Sequence, residues 1–199
     1  MPSEKLDPSF FQSGDVVGLS KKLIGCKLST FIDNKLTSGI ITETEAYAGQ
    51  GDKACHAHLG RFTKRTSVMY EPGGIAYIYL CYGIHHLFNI VTNTKGHADA
   101  ILIRAVEPID GIDIMLERRQ KTNLDKSLTS GPGNLTKALG LKKTHNAESV
   151  CSGNIWIEPK TTEIKNIVET TRIGIDYAEE DALLPWRFYD ADSKFVSVR

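Results

Sequence analysis

The chain has 199 residues, enough for one compact domain with a sizeable core, and its 41% hydrophobic and 24% charged residues are ordinary for a soluble globular protein. Lys plus Arg and Asp plus Glu balance at 24 each, so composition alone makes no general argument for nucleic acid. No apolar run is long enough to span a bilayer, and Met1-Pro2-Ser3-Glu4-Lys5 lacks the layout of a signal peptide, which points to a cytoplasmic protein without membrane contact. The four cysteines, Cys26, Cys55, Cys81 and Cys151, are scattered without a Cys-x-x-Cys pair, so they read mainly as small buried hydrophobes.

In chain order, residues 1–13 lack periodicity and read as an extended arm. Residues 15–25 read as a short amphipathic helix that Gly25 stops. Residues 26–32 and 36–47 alternate like strands and flank the tight turn Asp33-Asn34-Lys35, which predicts a hairpin. A short helix is expected over 63–70, ended by Pro72-Gly73-Gly74. Strands are expected over 75–80, 86–91 and 100–106, the first two joined around Tyr82-Gly83-Ile84-His85. Pro108 at a helix start predicts a helix to about Arg119, and Ser130-Gly131-Pro132-Gly133 precedes another over 134–139. Residues 155–157 and 186–189 read as short strands. The fold class is therefore α+β, in a single domain over 1–199.

Two stretches carry chemistry. In the strand Ile41-Thr42-Glu43-Thr44-Glu45-Ala46-Tyr47, the period of two puts Glu43, Glu45 and Tyr47 on one side. Two acids and an aromatic make a poor core surface, so that face either meets solvent or lines a site. Paired carboxylates suit glycosidic cleavage, but two groups flanking a bond come more naturally from different elements, and a solvated face stays the competing reading. The second stretch, Tyr77-Ile78-Tyr79-Leu80-Cys81-Tyr82-Gly83, offers tyrosine faces on which nucleobases stack. Arg61, Lys64 and Arg65 form one basic cluster, and Arg118, Arg119, Lys121 and Lys126 a second. His56 and His58 have the spacing of a ligand pair but lack partners for a metal site.

Taken together with His56, Asn89-Ile90, Leu102-Ile103-Arg104-Ala105, Ser130-Gly131-Pro132, Arg172-Ile173-Gly174 and Arg187-Phe188-Tyr189, these stretches resemble the alkyladenine (3-methyladenine) DNA glycosylase family, in order and over nearly the whole chain. The resemblance implies a curved, mostly antiparallel sheet with surrounding helices and a protruding β-hairpin that inserts into DNA. It implies an enzyme that flips damaged purines from double-stranded DNA and hydrolyses their N-glycosidic bond without a cofactor, acting as a monomer. Glu45 then corresponds to the base that activates water, with Arg104 and the Ile173 carbonyl as positioning partners. Tyr47, His56 and Tyr79 correspond to the walls around the flipped base, Asn89 to the group that excludes normal guanine, and Tyr82 to the wedge that replaces the lost stacking. Glu43 falls to a supporting role. The resemblance departs at Asn134, where many relatives carry Lys. A small-molecule nucleosidase and a non-catalytic lesion binder are the alternatives on the same residues.

Overall fold

The computed structural model describes residues 4–161 and 163–199. The strands in chain order are β1 (Lys27–Ile32), β2 (Lys35–Tyr47), β3 (Ala76–Cys81), β4 (His85–Thr92), β5 (Asp99–Pro108), β6 (Cys151–Ser152), β7 (Ile155–Glu158), β8 (Ile167–Thr170) and β9 (Arg187–Asp190); the helices are α1 (Pro8–Phe11), α2 (Val16–Lys22), α3 (Ile112–Arg119) and α4 (Pro132–Leu139). Every strand pairing is antiparallel, along the path β3-β4-β5-β2-β1-β7-β6, with β9 joining β2 and β8 joining β9. The α+β reading holds.

The β1–β2 hairpin closes on Asp33 and Asn34, both at positive φ (56° and 58°), as a two-residue turn whose twist matches the strands. β2 is long enough to serve three neighbours. Its first half lies beside β1, residues 43–45 lie beside β9, and β5 runs along its opposite edge. Strands close both of its edges, and packing on both faces buries Thr42, Glu43, Thr44, Glu45 and Ala46.

Strand alternation divides the interior. Ala46, Ile78 and Ile101 point into the main core with Leu23, Phe88 and Leu139. Their neighbours Tyr47, Tyr77 and Ala100 turn the other way, into a smaller cluster with Cys55 and Met69. The main core secures the sheet, since each fully buried Leu, Ile or Phe side chain contributes roughly 1.5–3 kcal/mol. The smaller cluster supports the site.

Three expectations are corrected. The arm over 1–13 contains α1, capped by the Asp7 side chain and anchored by the fully buried Phe11; Met1 to Ser3 lie outside the described residues. Over 63–70 only Ser67–Tyr70 forms a 3-10 turn, because the Thr63 and Thr66 hydroxyls accept from each other's backbone N–H and compete with a helix there. Pro108 ends β5 opposite Gly39 instead of starting a helix, and α3 begins at Ile112 after Gly111. Gly111 has φ +70°, and a Cβ there would stand 2.2 Å from the Leu36 carbonyl oxygen, so the sharp entry to α3 requires glycine. Among the described residues, no helix is long and apolar enough to cross a membrane.

Candidate active site

The two carboxylates on β2, Glu43 and Glu45, are both 0% exposed. Burial on this scale requires partners, and a local irregularity supplies the first. The β2–β5 register shifts on both sides of Glu43, leaving Arg104 out of the paired positions between Ala105 and Ile103. Its Nε donates to Glu43 Oε1 at 3.0 Å and its Nη1 stands 3.2 Å from Glu45 Oε1. One guanidinium thus joins both acids, as their shared strand face predicts. Arg104 itself is 7% exposed, and its pKa is raised against the opposing pull of burial by Glu45 and Glu43.

The two acids then differ. Glu43 also accepts from Arg187 Nη1 (2.9 Å), the Ser197 amide (2.7 Å) and the Ser197 hydroxyl (2.8 Å). With Arg104, that makes four donors, three on Oε1 and one on Oε2. Glu45 accepts from the Ile173 backbone N–H at 2.8 Å and from the Tyr47 hydroxyl at 2.8 Å, with Arg104 as its third partner. About one acceptor site is left open. The contact with Ile173 runs through its amide, while the resemblance singles out the carbonyl. Burial, and then Glu45, raise the Tyr47 phenol well above its ordinary range, so it stays protonated and donates.

Above this pair lies a cavity of about 390 Å³, lined among others by Tyr47, His56, Tyr77, Tyr79, Asn89 and Arg104. Its aromatic groups are locked together. His56 Nδ1 lies 2.9 Å from the Tyr77 hydroxyl, and its ring meets Tyr79 edge-on at 4.7 Å between centroids. Burial, then Arg65 and Arg61, hold His56 down to about 4, so the ring is neutral at physiological pH. Asn89 is 4% exposed and donates to the Tyr77 carbonyl at 3.0 Å, which pins its amide at the cavity wall. Tyr82 stands apart from these groups. It sits at the β3–β4 tip with φ +50° and 92% exposure, unusual for a bulky non-glycine residue, beside the cavity rim.

Several residues assigned no role on the sequence complete the site. Arg172 and Asp52 form a fully buried ion pair, with Arg172 Nη2 2.9 Å from Asp52 Oδ1. The Arg172 guanidinium lies 4.9 Å from the Tyr47 ring centre and braces that wall from behind the strand end. Arg187 and Ser197 secure Glu43. Arg187 belongs to a stretch singled out in the sequence, whereas nothing in the local sequence marks Ser197, whose role depends on the C-terminal segment folding back over β2. Arg65 turns from its surface cluster onto Tyr79.

The second basic cluster is largely structural. Arg118 donates to the Ala138 and Ile32 carbonyls, Arg119 to those of Leu128 and Ser127, and Lys121 pairs with Asp125. Asn134 donates to the Ser130 carbonyl just ahead of α4, so its side chain is occupied locally. Two cysteines, Cys26 and Cys55, are buried as expected, while Cys81 and Cys151 are only half-buried. Among the described residues, no group of three or more His, Cys, Asp or Glu side chains converges as a metal site.

An antiparallel sheet that holds a buried, partly unsaturated carboxylate beneath an aromatic cavity is equipped for hydrolysis beside a flat ring. Comparison with known proteins makes the class specific. Residues 9–194 match the family model of the methylpurine-DNA glycosylases. A relative from Chlamydia felis (strain Fe/C-56) is 53% identical over 184 residues, covering 92% of this chain and 94% of its own. One from Bacillus thuringiensis (strain Al Hakam) is 46% identical over 202 residues, covering 96% and 98%. One from Desulfitobacterium hafniense (strain Y51) is 41% identical over 196 residues, covering 95% and 97%. All three are provisionally named 3-methyladenine DNA glycosylase. The chain belongs to the methylpurine-DNA glycosylase family. It is an enzyme of DNA repair, a glycosylase of the hydrolase class.

Proposed function

We propose that this enzyme extrudes a damaged purine nucleotide from double-stranded DNA into the cavity and releases the base with a water activated by Glu45. The observation that carries the reading is where the partners stand: Tyr47, Ile173 and Arg104, which hold Glu45, all line the cavity, whereas Arg187 and Ser197, which complete the set on Glu43, do not. Arg104, the Ile173 amide and the Tyr47 hydroxyl fix the Glu45 carboxylate, so its open lone pair has one direction in which to hold a nucleophile. The attacking oxygen forms its bond to C1′ as the bond to the base nitrogen breaks and its electron pair leaves with the base. The water's proton passes to Glu45, and the negative charge of the buried acids faces the positive charge that develops on the sugar.

Tyr47, His56 and Tyr79 hold the extruded base, which replaces stacking worth roughly 1–3 kcal/mol per base. Tyr82, already projecting from the hairpin tip, fills the gap in the duplex. Pinned at the wall, Asn89 disfavours the exocyclic amine of normal guanine, a penalty that the weakened glycosidic bond of 7-methylguanine offsets. Substrates within reach of this pocket are 3-methyladenine, 7-methylguanine, hypoxanthine and etheno-adenine. The reaction needs no lysine Schiff base and no cofactor, and residues 1–199 act as one domain and one monomer, in the cytoplasm. Incubating the protein with a duplex carrying a single hypoxanthine or 3-methyladenine tests this directly. The expected products are the free base and an alkali-labile site, both lost in Glu45→Gln. Release from free nucleosides but not from duplex would replace this reading with a nucleosidase.

A further inference from the structure

Resting on the base pocket proposed above, we infer that Arg65 is a specificity-determining residue: its unpaired positive charge favours neutral damaged purines over cationic alkylated ones. Three observations place the guanidinium. Arg65 lines the same cavity as Tyr47 and Tyr79. Its guanidinium carbon stands 4.6 Å from the Tyr79 ring centre, within cation–π range. Its Nη2 lies 3.1 Å from His56 Nε2, so it donates to that nitrogen and leaves Nδ1–H to point at Tyr77. Two neutral side chains of the wall therefore hold the guanidinium in place.

The charge count of the site makes this placement matter. The three acids beneath the cavity, Glu43, Glu45 and Asp52, are matched by three guanidiniums, Arg104, Arg187 and Arg172, all within ion-pair distance. Arg65 is in no ion pair among the described residues, so its charge, placed on the aromatic wall, is not cancelled by a partner acid. The same charge helps hold the neighbouring His56 neutral.

That charge acts differently on the two kinds of leaving group. A neutral base such as hypoxanthine departs with the bonding electron pair and becomes an anion, which takes its proton from solvent after release. Arg65 stabilises that developing negative charge and eases a departure for which the pocket offers no obvious proton donor. A cationic base such as 7-methylguanine departs as a neutral molecule. It is repelled on entry and gains nothing from the guanidinium as it leaves.

The test compares single-turnover release of hypoxanthine and of 7-methylguanine from otherwise identical duplexes by the wild type, Arg65→Gln and Arg65→Lys, with Glu45→Gln alongside. In Arg65→Gln the ratio of hypoxanthine to 7-methylguanine release is expected to fall roughly tenfold, equivalent to about 1.4 kcal/mol. Arg65→Lys, which keeps the charge but not the planar fork, should retain most of the wild-type ratio. Continued release of 7-methylguanine by Arg65→Gln would itself show that the variant folds. An unchanged ratio overturns the inference, as does an equal fall on both lesions, which would mark Arg65 as a phosphate contact or a purely structural brace. If the wild type releases neither base, or Glu45→Gln releases both, the pocket reading has failed instead.

Discussion

Glu43 and Glu45 stand two residues apart on one strand, share one arginine and are equally buried, yet their remaining partners differ. Glu43 accepts from Arg104, Arg187 and both polar groups of Ser197, which tie β2 to β5, β9 and the C-terminal segment. It is a cross-link. Glu45 is held just as firmly, and its three partners, Tyr47, Ile173 and Arg104, line the cavity wall. Burial alone does not mark a catalytic acid. What separates the two is whether the groups that hold the carboxylate line the cavity.

The sharpest way to break this comparison is Glu45→Gln. It should lower base release by a factor on the order of 10²–10⁴, the usual worth of a positioned general base, as measured by single-turnover excision from a hypoxanthine duplex. A comparable loss in Glu43→Gln with no change in stability would invert the assignment. The expected effect of Glu43→Gln is instead structural. It leaves Arg187 and Arg104 short of a buried counter-charge and should cost about 3–5 kcal/mol of unfolding free energy in a urea titration. Activity per folded molecule should fall much less than in Glu45→Gln.

The pocket wall sharpens the picture through pH. His56 is held down to about 4 in the folded chain, against an ordinary value of 6.5. As pH falls, the unfolded chain takes up this proton first. The stability contributed by neutral His56 is therefore present above pH 6.5 and is lost between 6.5 and 4, an effect on the order of 2–3 kcal/mol. Urea titrations across that window should show a steeper decline for the wild type than for His56→Phe. Matching slopes would mean that His56 is not the neutral group of the wall.

The smallest effect is expected at the hairpin tip. Tyr82→Ser removes a side chain that nothing in the protein covers, so the melting temperature should hold or rise. Affinity for a lesion-bearing duplex should fall by roughly 1–3 kcal/mol in an anisotropy titration, the scale of one lost stacking contact. Unchanged affinity would deny Tyr82 its role as the wedge.

Much of this was legible in the chain itself, because it rests on local rules. The period of two placed Glu43 and Glu45 on one face, and Asp33-Asn34 prescribed the β1–β2 turn, since those residues tolerate positive φ. The ordered motifs from Ile41 to Tyr189 pointed to the family. The errors were local too: Pro108 favours a helix start and equally a strand end, and only the pairing of β5 with Gly39 decides between them.

What required the tertiary structure was the division of labour inside the site. The bulge that turns Arg104 toward both acids arises from the β2–β5 register, and no period in either strand announces it. Ser197 reaches Glu43 across 154 positions of chain and Arg172 reaches Asp52 across 120. The sequence by itself determined which acids, aromatics and arginines the protein owns and which share a strand face. Only the folded chain decided how many donors each carboxylate receives, because that number is set by long-range packing.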